Sequence, residues 1–248
     1  MFPFRDHNPA SRQPVITWLL IALNVAVFVM MLPLMADPAG LGAFYDRWGL
    51  VPARVMAGER PETALTSMFL HGGFLHLLGN MLFLYVFGDN LEDRMGRLPF
   101  LAFYIASGLG AGALQIAAGP TSSVPMVGAS GAIAGVMGGY LLLFPKAKVD
   151  LLVIFIFFIR IITLPASLVL AYWFLIQIVA GAFTPEADGG VAHWAHVGGF
   201  VVGGLLAVPL WLRLGGPAFW QATEGIPPHP PAATRLRRTQ VPVIRRRR

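Results

Sequence analysis

The sequence predicts an all-α membrane protein, a bundle of six transmembrane helices, on three observations. Of its 248 residues 56% are hydrophobic and 12% charged, a balance that leaves a soluble domain of this size short of polar surface. Six apolar runs are candidates for the ~20 residues that a helix needs to cross a bilayer. If all six cross, the basic residues separate cleanly by side, as positively charged span ends do.

The first run, Val15 to Met35, follows a segment 1–14 carrying Arg5 and Arg12. It is too long for the apolar stretch of a signal peptide, so it is expected as a retained span with residues 1–14 cytoplasmic. The loop 36–73 is longer than a simple connector and mixes Leu41, Phe44, Tyr45 and Trp48 with its charges. It is expected to rest partly in the outer leaflet. Phe74 to Phe87, Leu98 to Ala118 and Met126 to Phe144 give the second to fourth spans. The stretch 149–164 is also apolar, but it is short, contains Arg160 and runs into Pro165. A lipid-surface or β-like segment is expected there in place of a seventh span. Pro165 to Phe183 and His193 to Leu212 are the fifth and sixth spans, closing a membrane domain over 15–213.

With six crossings, all the basic residues except Arg47, Arg54 and Arg60 fall on one side, which places both termini in the cytoplasm. The tail 214–248 is rich in proline and ends in Arg245 to Arg248. Such a composition cannot bury enough apolar surface to fold alone, so disorder is expected, with the arginines as a topology anchor and anionic-lipid tether. No nucleic-acid partner is expected from it. The chain has no cysteine, which excludes disulfides and thiolate chemistry.

Polar groups inside a span are expensive, so each is a functional hypothesis by default. The second span opens with His71-Gly-Gly-Phe-Leu-His76-Leu-Leu-Gly-Asn80, where His76 and Asn80 share one helix face. The fourth carries Gly128-Ala129-Ser130-Gly131, and the sixth opens with His193-Trp194-Ala195-His196. These three spans all run from the outside inward, so His76, Ser130 and His196 reach similar depths at about 1.5 Å per residue. A serine becomes nucleophilic when an imidazole can take its proton. Ser130 is therefore the candidate nucleophile and His196 its base. His76, Asn80 and the Ser130 N–H are the candidate oxyanion donors. No intramembrane carboxylate is placed to orient His196, so a Ser-His dyad is expected. His193 competes as the base, but Gly199 and Gly203 follow His196 at the packing period. His71 reads as an interfacial residue bordering the loop. Gly131 and Gly135, with Gly199 and Gly203, form small-xxx-small faces that let two helices approach, and Gly128 is grouped with them at the site.

The His76-xxx-Asn80 pair, the Gly128-Ala129-Ser130-Gly131 motif and the Ala195-His196-xx-Gly199-xxx-Gly203 motif occur in the order seen in rhomboid proteases. Over roughly residues 14 to 213 the chain resembles that family. The resemblance implies a six-helix rhomboid-like bundle of the prokaryotic type, in a cytoplasmic membrane. It also implies cofactor-free cleavage of single-pass membrane proteins in or near their transmembrane segment, without a metal, at a cavity open to the outside. Two departures stand out. The Trp-Arg pair common in the family's first loop is replaced by Arg60-Pro61-Glu62-Thr63-Ala64, and the aromatic residue four after the serine is Ala134. Trp194 or Tyr140 is then expected to support His196.

Other enzymes fit poorly. The His-Glu-x-x-His of a metalloprotease is absent, as are facing intramembrane aspartates, and the Gly-x-Ser-x-Gly elbow fails at Ala132. The alternatives are a non-catalytic rhomboid-fold protein that binds membrane clients, and a transporter. For the latter the spans offer few charges for ion coupling and no obvious broken-helix pair.

Overall fold

The computed structural model describes residues 2–8, 10–155, 158–183 and 190–226. Glu186, Asp188 and the arginines of the tail lie outside these. In chain order the elements are β1 (Phe2–Asp6), α1 (Val15–Met31, continued by a 3-10 turn to Ala36), α2 (Pro38–Trp48), α3 (Pro52–Met56), α4 (Thr63–Thr66), α5 (Phe74–Met95), α6 (Arg97–Ala118), α7 (Ser130–Leu143), β2 (Lys148–Phe155), β3 (Phe158–Pro165), α8 (Ala166–Phe183), α9 (His193–Arg213) and α10 (Pro217–Thr223).

Each of the six apolar runs forms a helix. Val15–Ala36, α6, α8 and α9 are long and apolar enough to cross a bilayer, and α5 reaches that standard together with the segment Thr63–Phe69, from which it is bent by 94°. The sixth, α7, has 14 residues, or about 21 Å of helix, short of the ~30 Å hydrocarbon core. It is also the most buried, with Gly131 to Tyr140 all inside. Other helices, not lipid, surround it. By contrast α1 and α8 expose Leu19, Met30, Leu168 and Phe183, surfaces that only an apolar solvent accommodates. The chain is an integral membrane protein.

The tightest seam joins α7 to α9. A Cβ on Gly199 would collide with the Gly131 carbonyl, and one on Gly203 with Gly135, so neither position admits a side chain. Gly131 itself lies against Ala111 of α6. The backbones thus meet directly, as small-xxx-small faces allow.

The end of the bundle away from Ser130 carries a three-stranded antiparallel sheet in the order β1-β2-β3. The β-like reading of 149–164 corresponds to β2 and β3, paired from Lys148↔Pro165 to Phe155↔Phe158. Strand β1 is a departure from the expected plain N-terminal segment. It is held by a long-range contact that its own five residues do not announce: Arg5 and His7 both bond Asp150 at 2.7 Å. Nearby, Glu92 of α5 accepts from the Ile16 and Thr17 N–H groups at 2.9 and 2.8 Å. A carboxylate thus caps the N-terminus of α1, where the helix dipole favours it.

Order also extends past residue 214. Helix α10 seats Phe219 in the core beside Phe144, and Trp220 Nε1 donates to the Leu142 carbonyl at 2.9 Å. The expected disorder is therefore corrected for 214–226, where the two aromatic anchors Phe219 and Trp220 outweigh the flanking prolines and glycines.

Candidate active site

Ser130 is the first residue of α7, entered through Gly128 at φ +135°. L residues rarely adopt that conformation, and a Cβ there would lie 2.9 Å from the His76 ring. Gly128 is thus a turn glycine under an imidazole, which corrects its grouping with the helix-packing glycines. The turn exposes the first N–H groups of α7, which have no intrahelical acceptor by construction. Ser130 Oγ therefore stands beside backbone donors at a positive helix end.

His196, one turn into α9, is 8% exposed and brings Nε2 to 2.7 Å from Ser130 Oγ. Its Nδ1 lies 2.7 Å from Gln177 Oε1 of α8. The same oxygen lies 2.8 Å from His193 Nδ1. The Trp173 ring, one turn earlier on α8, covers His196 at a centroid distance of 5.6 Å. On the third side, Gln115 Oε1 of α6 accepts the Ala195 N–H at 3.0 Å and so fixes the first turn of α9.

His76 and Asn80 come from the first turns of α5. Gly72 N–H donates to His76 Nδ1 at 3.3 Å, which leaves the other nitrogen, Nε2, as the N–H donor. That nitrogen is the one against Gly128, on the Ser130 side. Asn80 is buried, and its Nδ2 has no acceptor among the described residues. Ser130, His196, His76 and Asn80 line one cavity of about 770 Å³, walled by Met68 and Met126. The four residues thus present a hydroxyl, an imidazole at hydrogen-bond distance from it, and side-chain donors around the same space. Serine acyl transfer asks for that set.

Other expected positions fall elsewhere. His71 is fully buried beneath the first loop. It stacks edge-on against His76 at 5.1 Å, while its carbonyl accepts from the Tyr45 hydroxyl. His193 meets Gln177 and the edge of the His196 ring, whereas the nitrogen at Ser130 Oγ is that of His196. Neither expected supporter of His196 fills that role. Tyr140 sits ten residues along α7, about 15 Å away, bonded to Asn8 and Asp6; Trp194 packs on Gly181. The ring that packs against His196 is instead Trp173 of α8. The absent Trp-Arg pair is offset by other ties of the loop: Thr66 Oγ1 to the Trp48 carbonyl at 2.7 Å, Arg60 to the Arg47 carbonyl at 3.0 Å and the Arg54–Asp46 ion pair at 2.8 Å. Among the described residues no group of three or more histidines and carboxylates is arranged to hold a metal.

Gln177 and Trp173 were missed by sequence reasoning. For Gln177 a signal was available, since it is a lone amide in an apolar helix.

Comparison with known proteins agrees with this architecture. The profile of the rhomboid domain matches residues 59–213. RHOMBOID-like protein 4 of Arabidopsis thaliana is 34% identical over 165 residues, 66% of this chain and 38% of that protein. RHOMBOID-like protein 5 of the same plant is 32% identical over 159 residues, 64% of this chain and 47% of that protein. The Bacillus subtilis protein named "Putative rhomboid protease YdcA" is 40% identical over 77 residues, 31% of this chain and 38% of that protein. The chain spans less than half the length of these relatives. A domain match over more than half of the chain, on a helix bundle with the site motifs in order, shows that the chain belongs to the rhomboid family.

Proposed function

We propose that this protein is an intramembrane serine endopeptidase that cleaves single-pass membrane proteins in or near their transmembrane segment. The observation that carries the reading is the 2.7 Å contact between Ser130 Oγ and His196 Nε2 at a largely apolar cavity that His76 and Asn80 also line.

In this mechanism Ser130 Oγ attacks the scissile carbonyl carbon while its proton passes to His196 Nε2. The new oxyanion is met by the Ser130 N–H, His76 Nε2–H and Asn80 Nδ2–H, donors already fixed before charge develops. The C–N bond then breaks, and His196 returns the proton to the leaving amine. A water molecule repeats the sequence on the acyl-enzyme, releasing the acid and restoring Ser130. A peptide in helical form hides its carbonyls in i to i−4 bonds, so substrates are segments that unwind readily; a small residue at the cut is what the resemblance to rhomboid proteases implies. The charge distribution supports an orientation with both termini cytoplasmic and the cavity facing outward. The chain is then a protein of a prokaryotic cytoplasmic membrane, with the bilayer and its client helices as partners.

The test is cleavage of a single-pass substrate by purified protein in detergent. Ser130→Ala and His196→Ala are each expected to lower the rate by roughly 10³-fold or more with unchanged unfolding midpoints. Undiminished cleavage by Ser130→Ala would remove the nucleophile assignment. No cleavage of several substrates by the unaltered chain would favour the client-binding alternative.

A further inference from the structure

We propose that Gln177 is a positioning residue that turns the Ser130–His196 pair into a three-membered relay, an inference that rests on the protease reading above. For His196 to accept the serine proton, Nε2 must carry the lone pair, so the ring proton must sit on Nδ1. A buried N–H needs an acceptor, and the oxygen that meets it is Gln177 Oε1 at 2.7 Å. The same oxygen faces His193 Nδ1 at 2.8 Å. A carbonyl oxygen has two lone pairs, so two ring N–H donors occupy it and fix the amide with its oxygen toward α9.

The placement is not explained by packing. Helix α8 is otherwise apolar over almost its whole length, and an amide there is costly unless it is bonded. Leucine would fill the volume without that cost. Gln177 and Trp173 lie one turn apart on the same face, so α8 restrains His196 in two directions: Gln177 in the plane of the ring, Trp173 over it. When His196 takes the serine proton, its Nδ1–H becomes a charged donor and the bond to Gln177 strengthens. The stabilisation therefore grows toward the transition state, which raises kcat more than it lowers KM. Because the acceptor comes from α8, the base is set only while α8 lies against α9.

The test compares the unaltered full chain with Gln177→Leu and Gln177→Glu in detergent. Kinetics on a single-pass substrate are paired with ¹⁵N spectra of histidine-labelled protein, in which His196→Ala assigns the signal. Gln177→Leu is expected to lower kcat roughly 10- to 100-fold, as loss of a buried hydrogen-bond acceptor does, with KM within about twofold. Gln177→Glu, which keeps an acceptor, is expected to retain most of the rate. The His196 signal should report an Nδ1–H ring in the unaltered chain and a mixture of tautomers in Gln177→Leu. If the unaltered chain cuts and Gln177→Leu cuts within threefold of it with the same tautomer, Gln177 only packs and the inference is overturned while the protease reading stands. If nothing cuts although the tautomer still depends on Gln177, the protease reading fails and the catalytic role of Gln177 falls with it.

Discussion

At the end of the bundle that carries the sheet, buried carboxylates are saturated with donors. Asp150 takes bonds from Arg5, His7 and Thr163, and Glu92 takes two backbone N–H groups and the Thr17 hydroxyl. At the opposite end a buried donor, Asn80 Nδ2, has no acceptor among the described residues. The first arrangement ties distant segments together, β1 to β2 and α1 to α5. The second costs stability, about 1–3 kcal/mol for each unpaired group. Here the paired carboxylates tie segments together, whereas the unpaired Asn80 amide lines the cavity that holds Ser130 and His196.

Asn80→Ala should separate the two ends most sharply. It removes a donor that has no acceptor among the described residues, so the unfolding midpoint should stay level or rise. The kcat should fall by roughly 10²- to 10³-fold, as for loss of one oxyanion donor. A fall in stability with unchanged kcat, read by thermal unfolding alongside steady-state cleavage, would show that Asn80 belongs with the structural groups.

A smaller effect is expected at the sheet. Burial would raise the Asp150 carboxyl, but the bonds from Thr163, His7 and Arg5 outweigh it and hold the group at about 2, below the ordinary 3.8. Between these values the unfolded chain binds more protons than the folded one. The contribution is therefore complete above about pH 4 and is lost as the pH falls toward 2. Its size is on the order of 1–2 kcal/mol, discounted for the exposed Arg5 and His7. Unfolding midpoints followed from pH 5 to 2 should fall more steeply for the unaltered chain than for Asp150→Asn. Per folded molecule, Asp150→Asn should cut normally at neutral pH. Parallel pH curves would contradict the assignment, and a loss of kcat would blur the division between the ends.

The helices and the site histidines were legible because both rest on local signals: long apolar runs, and ionisable groups where lipid forbids them. What was not legible depends on distance. Strand β1 exists through Asp150, some 145 residues away, and α10 through a core that its prolines and glycines do not foretell. Gly128 looked like its neighbours in the sequence, since only the backbone angle reveals it as a turn beneath His76. The support of His196 was sought on α7 and α9, whereas Trp173 and Gln177 reach it from α8. Applying to glutamine the rule applied to histidine would have found the second of them. Trp173 is an aromatic residue in an apolar helix, and no pattern separates it from a lipid-facing one.

The most direct test of the nucleophile is to treat the purified full chain with a fluorophosphonate and map the adduct by mass spectrometry. The account predicts modification at Ser130 in the unaltered chain and none in His196→Ala, because the hydroxyl is activated only by the imidazole at 2.7 Å. An adduct on another residue, or equal labelling of Ser130 without His196, would contradict it.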